Sequence, residues 1–559
     1  MEMMSILHSL PLVRYEMCFL HLVDISSDKD LTIGNNVPFQ LVGQSRAIAN
    51  LSVGTITLDP IKVNVTTSLN GLQGLSNNLT VINSVNVTGG ISQGIQLSID
   101  VSIKNPSNLH LQTGNLVLQL VLTGGSGSIL GTALMPNLNL KMGDNNVTAS
   151  SLFDANASPD GTTTLNNFVG GKDTALTIKG FTGSTNISSL SQAFESLSID
   201  VTLPGLTTQL LSSASLEILN TTGRTDNISH VSVQLVNPFS TPLRITKIQS
   251  SVAAFGIPLG SIDTSKSSSN FSFSAPSKST TSSPILDLDM NFQPSVLFTL
   301  TRLLAVQAGL DPAPIDGIVE IGGIQYLPGL GPSRRETTEM LKKRDNVFTD
   351  FNLPSYVEKA FSKLTSDVQL ITTVEIGEYT TQLSYTQNSV PTKTDKSLDL
   401  ILPVLAQPIV QKIINGSTLG IDTVVITSPA QASFATKLKG GIQNAGPFDA
   451  TISFPAGLTI AWNGKNLGTM QMPDVKVTGD QGATIDTSST PAKFNIADVS
   501  TVTDFTKTLV TEDSFIWDIS ANQTTVDAIG ITVSGVKLNT KSVALKGMNG
   551  LKGGVHAFR

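Results

Sequence analysis

The feature that most constrains the fold is a short landmark in which an alternating apolar run ends at an Asn-Pro step. It reads IDVSIKNPSNLHL over residues 99–111, VSVQLVNPFSTPL over 231–243 and, in a looser form, LKGGIQNAGPFDA over 438–450. A glycine follows at intervals of 26, 23 and 24 residues. The landmark positions are Asn105, Pro106 and Gly131; Asn237, Pro238 and Gly260; and Asn444, Pro447 and Gly468. This near-constant spacing indicates one duplicated module.

The runs that lead into the landmarks alternate apolar and polar residues, as at Leu97, Ile99 and Val101. A period of two, with Gly, Pro and Asn at the breaks, predicts antiparallel strands buried on one face. Proline cannot donate to a sheet, so Asn-Pro is expected to end a strand. The landmark glycines are expected to let the chain turn into the next strand. The fold class is therefore an all-β-dominated chain of tandem modules.

Unequal spacing between the landmarks predicts an insertion. The second and third landmarks lie 207 residues apart, against 132 for the first pair. The extra length contains helical patterns at 294–310, 334–345 and 354–364, the second of them part of the basic cluster at 333–345. We interpret this cluster as a solvated linker helix, with Lys343-Arg344 as an alternative dibasic processing site.

A gapless similarity between residues 53–75 and 529–551, which both end in L-x-G-x-x-G-L, indicates that the first β segment is the tail of a module. We expect the front of that module to be missing. The predicted boundaries are 1–35 for an uncertain N-terminal segment, 36–78 for the truncated first module, 79–212 for the second module, 213–293 for the front of the third, 294–367 for the helical insertion, 368–420 for the tail of the third and 421–559 for the fourth.

The residues that usually carry chemistry are few and scattered. Five histidines show no paired spacing, and Cys18 is the single cysteine, which excludes an intrachain disulfide and a Cys-based zinc site. The glycine-rich stretch at 122–131 lacks the Gly-Lys-Ser/Thr ending of a phosphate loop and is expected to be a hairpin turn. We therefore predict no catalytic, metal or cofactor site and no enzyme. The net charge of −7 argues against a nucleic-acid partner.

Two further patterns concern the surroundings of the chain. Residues 398–414 are strongly apolar but too short and proline-broken to span a membrane, so they either pack in a core or line a groove for acyl chains. The groove residues would be Leu402, Val404, Leu405, Ile409 and Ile413. Possible glycosylation sites permit a secretory-pathway lumen; they are Asn50, Asn64, Asn78, Asn86, Asn146, Asn186, Asn220, Asn227, Asn270, Asn415 and Asn522.

The strand that ends in Asn-Pro, followed by an LGT stretch, resembles the late-embryogenesis-abundant type 2 domain, also called the water-stress and hypersensitive-response domain. The tandem copies and the phrases NAGPFDATI and LKGMNGL resemble a related fungal domain-of-unknown-function family, over about residues 36–554. The resemblance implies tandem immunoglobulin-like β-sandwich modules of seven strands, each with an accessory helix, in the vacuole lumen. It also implies an N-terminal membrane anchor, lipid binding or transfer, and a link to ending autophagy.

Three functions remain open at this point. The first is a non-enzymatic luminal repeat protein of the fungal vacuole that holds lipid, with lipid or membrane as its partner. The second is a structural or adhesive scaffold that binds other proteins. The third is an intracellular ribosomal-RNA-processing factor, which the acidic charge disfavours.

Overall fold

Four β-sheets, each built from one consecutive stretch of chain, make up most of the protein. The structure, a computed structural model, describes residues 13–25, 28–51, 53–266, 271–332, 347–428, 430 and 432–547. Helices lie between or beside the sheets. The prediction of an all-β-dominated chain with accessory helices is confirmed.

The first sheet has three antiparallel strands, and the chain enters its central strand from a short helix. Its elements are β1 (Val13–Ile25), α1 (Asp28–Ile33), β2 (Asn36–Leu51) and β3 (Gly54–Asn70). Strands β2 and β3 form a long hairpin, and a 3-10 turn at Gln73–Leu75 leads out of it. This sheet covers the segment that the sequence assigns to the tail of a first module.

The second sheet contains seven strands in the order β10-β9-β6-β7-β8-β5-β4. It begins one residue after the predicted boundary at 79. Its strands are β4 (Thr80–Ile91), β5 (Gly94–Asn105), β6 (Leu111–Leu122), β7 (Ile129–Leu140), β8 (Gly143–Phe153), β9 (Thr174–Lys179) and β10 (Ser198–Leu203), and its helices are α2 (Pro159–Val169) and α3 (Ser188–Glu195). The loop at 123–128 joins β6 to β7 as a hairpin, where the sequence predicts a turn.

The third module is a closed barrel. Strand β11 (Leu211–Ile218) pairs antiparallel with β12 and parallel with β19, which joins the two ends of the sheet. The closed order is β11-β19-β18-β13-β14-β17-β12, and two short strands pair at its rim. The remaining strands are β12 (Ile228–Asn237), β13 (Leu243–Ala254), β14 (Ile257–Asp263), β15 (Phe273–Ala275), β16 (Ser279–Ser282), β17 (Leu286–Met290), β18 (Thr365–Ile376) and β19 (Tyr379–Thr394).

Between β17 and β18, where the sequence predicts a helical insertion, the described residues form three helices that interrupt the barrel. They are α4 (Pro294–Gln307), α5 (Ala313–Gly322) and α6 (Leu353–Phe361). A buried ion pair joins the first two, since Arg302 Nε lies 2.8 Å from Asp316 Oδ1 and the Tyr326 hydroxyl donates to the same oxygen at 2.5 Å. Burial raises the pKa of Tyr326. The predicted helix at 334–345 lies outside the described residues.

The fourth module begins after a long apolar helix and contains ten strands. The helices are α7 (Leu402–Gly416) and α8 (Val499–Thr511). The strands are β20 (Thr418–Thr427), β21 (Ser433–Gln443), β22 (Ala450–Ser453), β23 (Leu458–Trp462), β24 (Lys465–Gln471), β25 (Val475–Val477), β26 (Ala483–Asp486), β27 (Ala492–Ile496), β28 (Ser514–Ala528) and β29 (Ile531–Lys546). The helix and hairpin α8-β28-β29 repeat the arrangement α1-β2-β3, as the similarity of 53–75 to 529–551 suggests.

The Asn-Pro steps are strand ends held by a buried amide. Asn105, 2% exposed, ends β5; its Oδ1 accepts from Ser107 N at 2.9 Å and its Nδ2 donates to Leu109 O at 2.9 Å. Asn237, 1% exposed, ends β12 and makes the same two bonds, accepting from Phe239 N at 3.0 Å and donating to Thr241 O at 2.9 Å. Each side-chain amide therefore satisfies backbone hydrogen-bonding groups of the corner that follows its strand.

The third copy of the landmark uses a different device. Asn444 follows the end of β21, is exposed, and has a left-handed φ of 58°. Asparagine tolerates this conformation better than most residues, so the chain turns through its backbone. Pro447 then leads into buried Phe448, as Pro238 leads into buried Phe239 in the barrel.

The role predicted for the landmark glycines is wrong. Gly131, Gly260 and Gly468 lie inside β7, β14 and β24, and none of them is at a turn. A Cβ at each position would overlap a carbonyl oxygen of the neighbouring strand, on Leu152, Asp289 and Asn495 respectively. The glycines recur because the adjacent strand passes too close for any side chain, which is a packing constraint.

Replacing Asn237 with Ala tests the buried corner. The change leaves the Phe239 N–H and the Thr241 carbonyl without their partner, so we expect the free energy of unfolding to fall by about 2–4 kcal/mol. Urea unfolding followed by circular dichroism measures it. Asn444→Ala is the control and should cost about 1 kcal/mol or less. Equal effects of the two substitutions would contradict the assigned role.

Gly468→Ala tests the close strand approach in the fourth module. The new methyl group would meet the Asn495 carbonyl and the Phe494 ring, so we expect destabilisation of about 1–3 kcal/mol. Both tryptophans, Trp462 and Trp517, lie in this module, so their fluorescence during urea unfolding reports on it alone. Gly420→Ala, whose nearest neighbour would be 3.9 Å away, should change stability by about 0.5 kcal/mol at most.

Candidate apolar binding cavity

A large internal space lies between the second module and the barrel. It has a volume of about 110 Å³ and is walled by strands of both modules and by α2. Val87 and Ile95 contribute from the second sheet, Phe168 from α2, and Ile245 and Val374 from the barrel. We call it the junction cavity. Apart from three threonines and one tyrosine its walls are wholly apolar.

The two modules approach most closely where strand β4 meets the turn between β18 and β19. Glu378 N donates to Gly90 O at 3.1 Å. A Cβ on Gly90 would overlap the Ile376 carbonyl, and one on Gly377, whose φ is 58°, would overlap Gly90 O. The contact therefore requires glycine on both sides.

Polar bonds around the junction cavity fix the modules further. Asn156, which follows β8, donates through Nδ2 to Thr380 O at 2.9 Å and accepts at Oδ1 from the Thr381 hydroxyl at 2.8 Å. The Tyr379 hydroxyl donates to Asp154 Oδ1 at 2.7 Å, and burial together with this bond raises the pKa of Tyr379. The polar groups at this edge are paired with each other, so that Thr381, which lines the cavity, has its hydroxyl bonded to Asn156.

The corner at Asn237 also shapes this cavity. The Phe239 N–H donates a hydrogen bond to the Asn237 side chain. The Phe239 ring lines the junction cavity and stacks on Phe168 of α2, with the ring centroids 6.3 Å apart. The recurring sequence landmark thus holds an aromatic wall residue in place at the junction of the modules.

A second cavity of about 80 Å³ occupies the inside of the barrel. Inward-facing residues of its strands line it, and the inserted helices close one end through Leu300 of α4 and Phe361 of α6. We call it the barrel cavity. The helical insertion therefore acts as a plug for the barrel in addition to linking two modules.

The two cavities adjoin at a ring of four apolar side chains. Leu211, Leu235, Ile245 and Leu370 line both of them. Leu211 and Leu235 face each other across the β11–β12 ladder. The two spaces are therefore neighbours that share an apolar wall.

Polar atoms in the walls are almost all paired. In the junction cavity the Tyr385 hydroxyl donates to Gln387 Oε1 at 2.6 Å, and burial raises the pKa of Tyr385. In the barrel cavity the hydroxyls of Ser366 and Thr392 bond each other at 2.8 Å. Ser250, 9% exposed, differs because its Oγ has no hydrogen-bond partner. No charged side chain is present among the described residues that line either cavity.

The groove predicted at 398–414 is part of a smaller space. Leu402, Leu405 and Ile409 line a cavity of about 50 Å³ between α7, the inserted helices and the fourth sheet. Ile413 is half-buried beside Gly446, and Val404 is half-buried but does not line that cavity. The structure thus places the larger apolar spaces elsewhere than the sequence suggests.

The same segment satisfies a length and composition test for a membrane span. Among the described residues, Lys396–Gly416 is the stretch long and apolar enough to do so, with a mean hydropathy of 1.4. In the structure it is a 3-10 turn at Lys396–Leu400 followed by α7, and its apolar residues Leu402, Leu405 and Ile409 are buried in the protein.

Most of the possible glycosylation sites are on the surface. The exposed ones are Asn50, Asn64, Asn78, Asn146, Asn186, Asn220, Asn227, Asn415 and Asn522. Asn86 lies between modules, where its Nδ2 donates to the Ser240 hydroxyl at 2.9 Å. Asn270 lies outside the described residues.

The two histidines whose side chains the structure describes, His110 and His230, lie on different modules. His230 lies 3.9 Å from Glu217 and 3.8 Å from Asp287 on the barrel surface, and His110 contacts Asn139. Within the described parts of the chain, no cluster of His, Cys, Asp or Glu is arranged to hold a metal ion.

Sequence reasoning missed both large cavities and Ser250. The one available signal was in β13, where LRITKIQSSVAA places serine at a position of the inward-facing set that includes Leu243, Ile245 and Ile248. A polar residue at an apolar position in such a pattern indicates a special environment.

The comparisons with known proteins bear on the repeated unit. No curated protein matches the chain. Two segments, residues 28–120 and 465–557, match the family described as "Protein of unknown function (DUF3712)". Both contain a helix followed by a long hairpin, α1-β2-β3 in the first and α8-β28-β29 in the second. Two segments of the chain are thus similar to one domain of unknown function and share its helix-and-hairpin arrangement.

Proposed function

We propose that this protein is a non-enzymatic binder of apolar ligands of the lipid class. The observation that carries the proposal is the pair of adjoining apolar cavities, of about 110 and 80 Å³, between and within the second and third modules. Protein interiors normally contain few voids larger than a water molecule. Two adjoining spaces of this size support a ligand-binding role.

The cost of keeping such a space empty supports the same proposal. At roughly 24 cal/mol per Å³, an empty junction cavity would destabilise the fold by about 2.6 kcal/mol. Water molecules in this cavity would form few hydrogen bonds, because the walls offer few free polar groups. An apolar cavity of roughly 150 Å³ is known to stay dry and to bind a small hydrocarbon. A hydrocarbon chain is the occupant that recovers the lost contacts.

The cellular setting is part of the proposal. We place the protein in the lumen of the fungal vacuole, at its membrane or free, with a link to the ending of autophagy. The resemblance of its motifs supports this setting, and the exposed glycosylation sites are compatible with a lumen. Glycosylation of the exposed asparagines does not depend on a bound lipid. Lipid binding and the luminal setting are therefore tested separately.

A protein-binding scaffold remains the second candidate because of the first sheet. Strand β3 is the edge of that sheet, and Ile56 and Leu58 on it are more than half exposed. An edge strand with exposed apolar residues is a typical place for another chain to pair. This surface lies on another module than the cavities, so the two candidates do not exclude each other.

Val87→Phe tests ligand binding by filling the junction cavity. Val87 is 5% exposed and lines that cavity, so the added ring should occupy ligand space without enlarging the surface. We expect lipid recovered from the purified protein, measured by mass spectrometry per mole of protein, to fall several-fold. Val81→Phe on the same strand is the control, since Val81 is 46% exposed and lines neither large cavity. Wild-type protein without bound lipid would refute the proposal.

Endoglycosidase treatment tests the luminal setting. Protein expressed in its fungal host should shift to higher mobility on a denaturing gel when its glycans are removed. Asn522→Gln should reduce the shift because this residue is exposed, whereas Asn86→Gln should leave it unchanged because the Asn86 amide is held by Ser240. A chain without glycans would count against passage through the lumen.

A further inference from the structure

The position of Ser250 identifies the kind of ligand that suits the two cavities. Ser250 lies on β13 directly opposite Leu370 of β18 in the antiparallel ladder. Leu370 belongs to the ring of four residues at which the two cavities meet. The serine therefore lines the barrel cavity beside Leu370, a residue that also lines the junction cavity, while Ser250 itself does not.

The hydroxyl of Ser250 is the polar atom at this level that lacks a partner. It is buried, and its Oγ makes no hydrogen bond within the described structure. A buried hydroxyl without a partner costs about 1–3 kcal/mol of stability. A hydroxyl can donate to an acceptor brought in by a ligand, and such a bond would offset that cost.

The lack of charge in the walls restricts the ligand further. No Lys, Arg or His side chain lines either cavity among the described residues, so a carboxylate or phosphate buried there would have no counter-ion. Burying an unpaired charge is far more costly than burying a neutral ester. A neutral polar group on the ligand is therefore favoured, and a carbonyl oxygen is a neutral group that can accept from the Ser250 hydroxyl.

We infer that the two cavities form one site for a neutral lipid with an ester or ketone carbonyl near its middle and an apolar arm on each side. Ser250 Oγ–H donates to the carbonyl oxygen. One arm occupies the junction cavity, and the other occupies the barrel cavity beneath the helical plug. The ring of Leu211, Leu235, Ile245 and Leu370 surrounds the chain where it passes between the chambers. The inference rests on the proposed function and adds the ligand class to it.

The test compares two probes of equal chain length, octyl octanoate and heptadecane, delivered in radiolabelled form from cyclodextrin to the full chain. The wild-type protein should bind the ester more tightly than the alkane. Ser250→Ala should weaken binding of the ester roughly 2- to 10-fold, the range expected for one neutral hydrogen bond, and leave binding of the alkane unchanged. Ser251→Ala is the matched control because Ser251 is exposed on the same strand.

Thermal unfolding of the ligand-free proteins supplies a second measurement. Ser250→Ala removes an unpaired buried hydroxyl, so this variant should melt at a higher temperature than the wild type even though it binds the ester less well. Equal affinity of the wild type for ester and alkane, or an unchanged ester affinity in Ser250→Ala, would overturn the inference and leave the proposed function standing. If the wild type bound neither probe, both would fail.

Discussion

The contact between Gly90 and Gly377 is the constraint on which the rest of the candidate site depends. It brings the backbone of strand β4 against the first hairpin turn of the barrel's closing strands, closer than any side chain would allow. The second sheet then covers the open end of the barrel, and the junction cavity is the space that remains between them. The hydrogen bonds of Asn156 and Tyr379 also join the two modules at this edge. They can form only because the two glycines allow the modules to come this close.

A second dependence links the barrel to its inserted helices. The strands before and after the insertion close one barrel, so the helices must leave and return at the same end of it. There they place Leu300 and Phe361 across the interior. The buried pair of Arg302 and Asp316 is costly to desolvate, and a pair of this kind contributes more to fixing one arrangement of α4 against α5 than to stability. Within the described part of the insertion, packing and the Arg302–Asp316 ion pair thus hold the plug together.

Much of the architecture could be predicted from the sequence because it follows from the spacing of apolar residues and from the Gly, Pro and Asn residues that end the strands and helices. The alternating runs, the strand ends at Asn105 and Asn237, and the helix at 294–310 depend on local residue patterns. The role of Gly131 could not be predicted, because a turn and a close strand approach both select glycine. The cavities could not be predicted either. Val87, Phe168 and Ile245 look like ordinary core residues in sequence, and only the fold shows that they face a space.

The apolar segment at 398–414 illustrates the same limit. Its composition made it the most conspicuous candidate for a lipid groove, yet Leu402 and Ile409 of α7 are buried against the inserted helices and border only a small cavity. A strongly apolar stretch shows that a surface is buried but does not show what covers it. Ser250, by contrast, is a single polar residue among apolar ones. Its position beside the cavities becomes visible only through its pairing with Leu370, which lies more than a hundred residues away in the sequence.

The pairing of Gly90 with Gly377 also has a consequence for how such a chain can evolve. A module copied alone would bring a barrel or a half-open sheet, but neither carries the junction cavity by itself. The cavity forms only when the second module, the barrel and both glycines are present in the same chain. Loss of either glycine would therefore disturb the shared chamber without removing the elements that build each module.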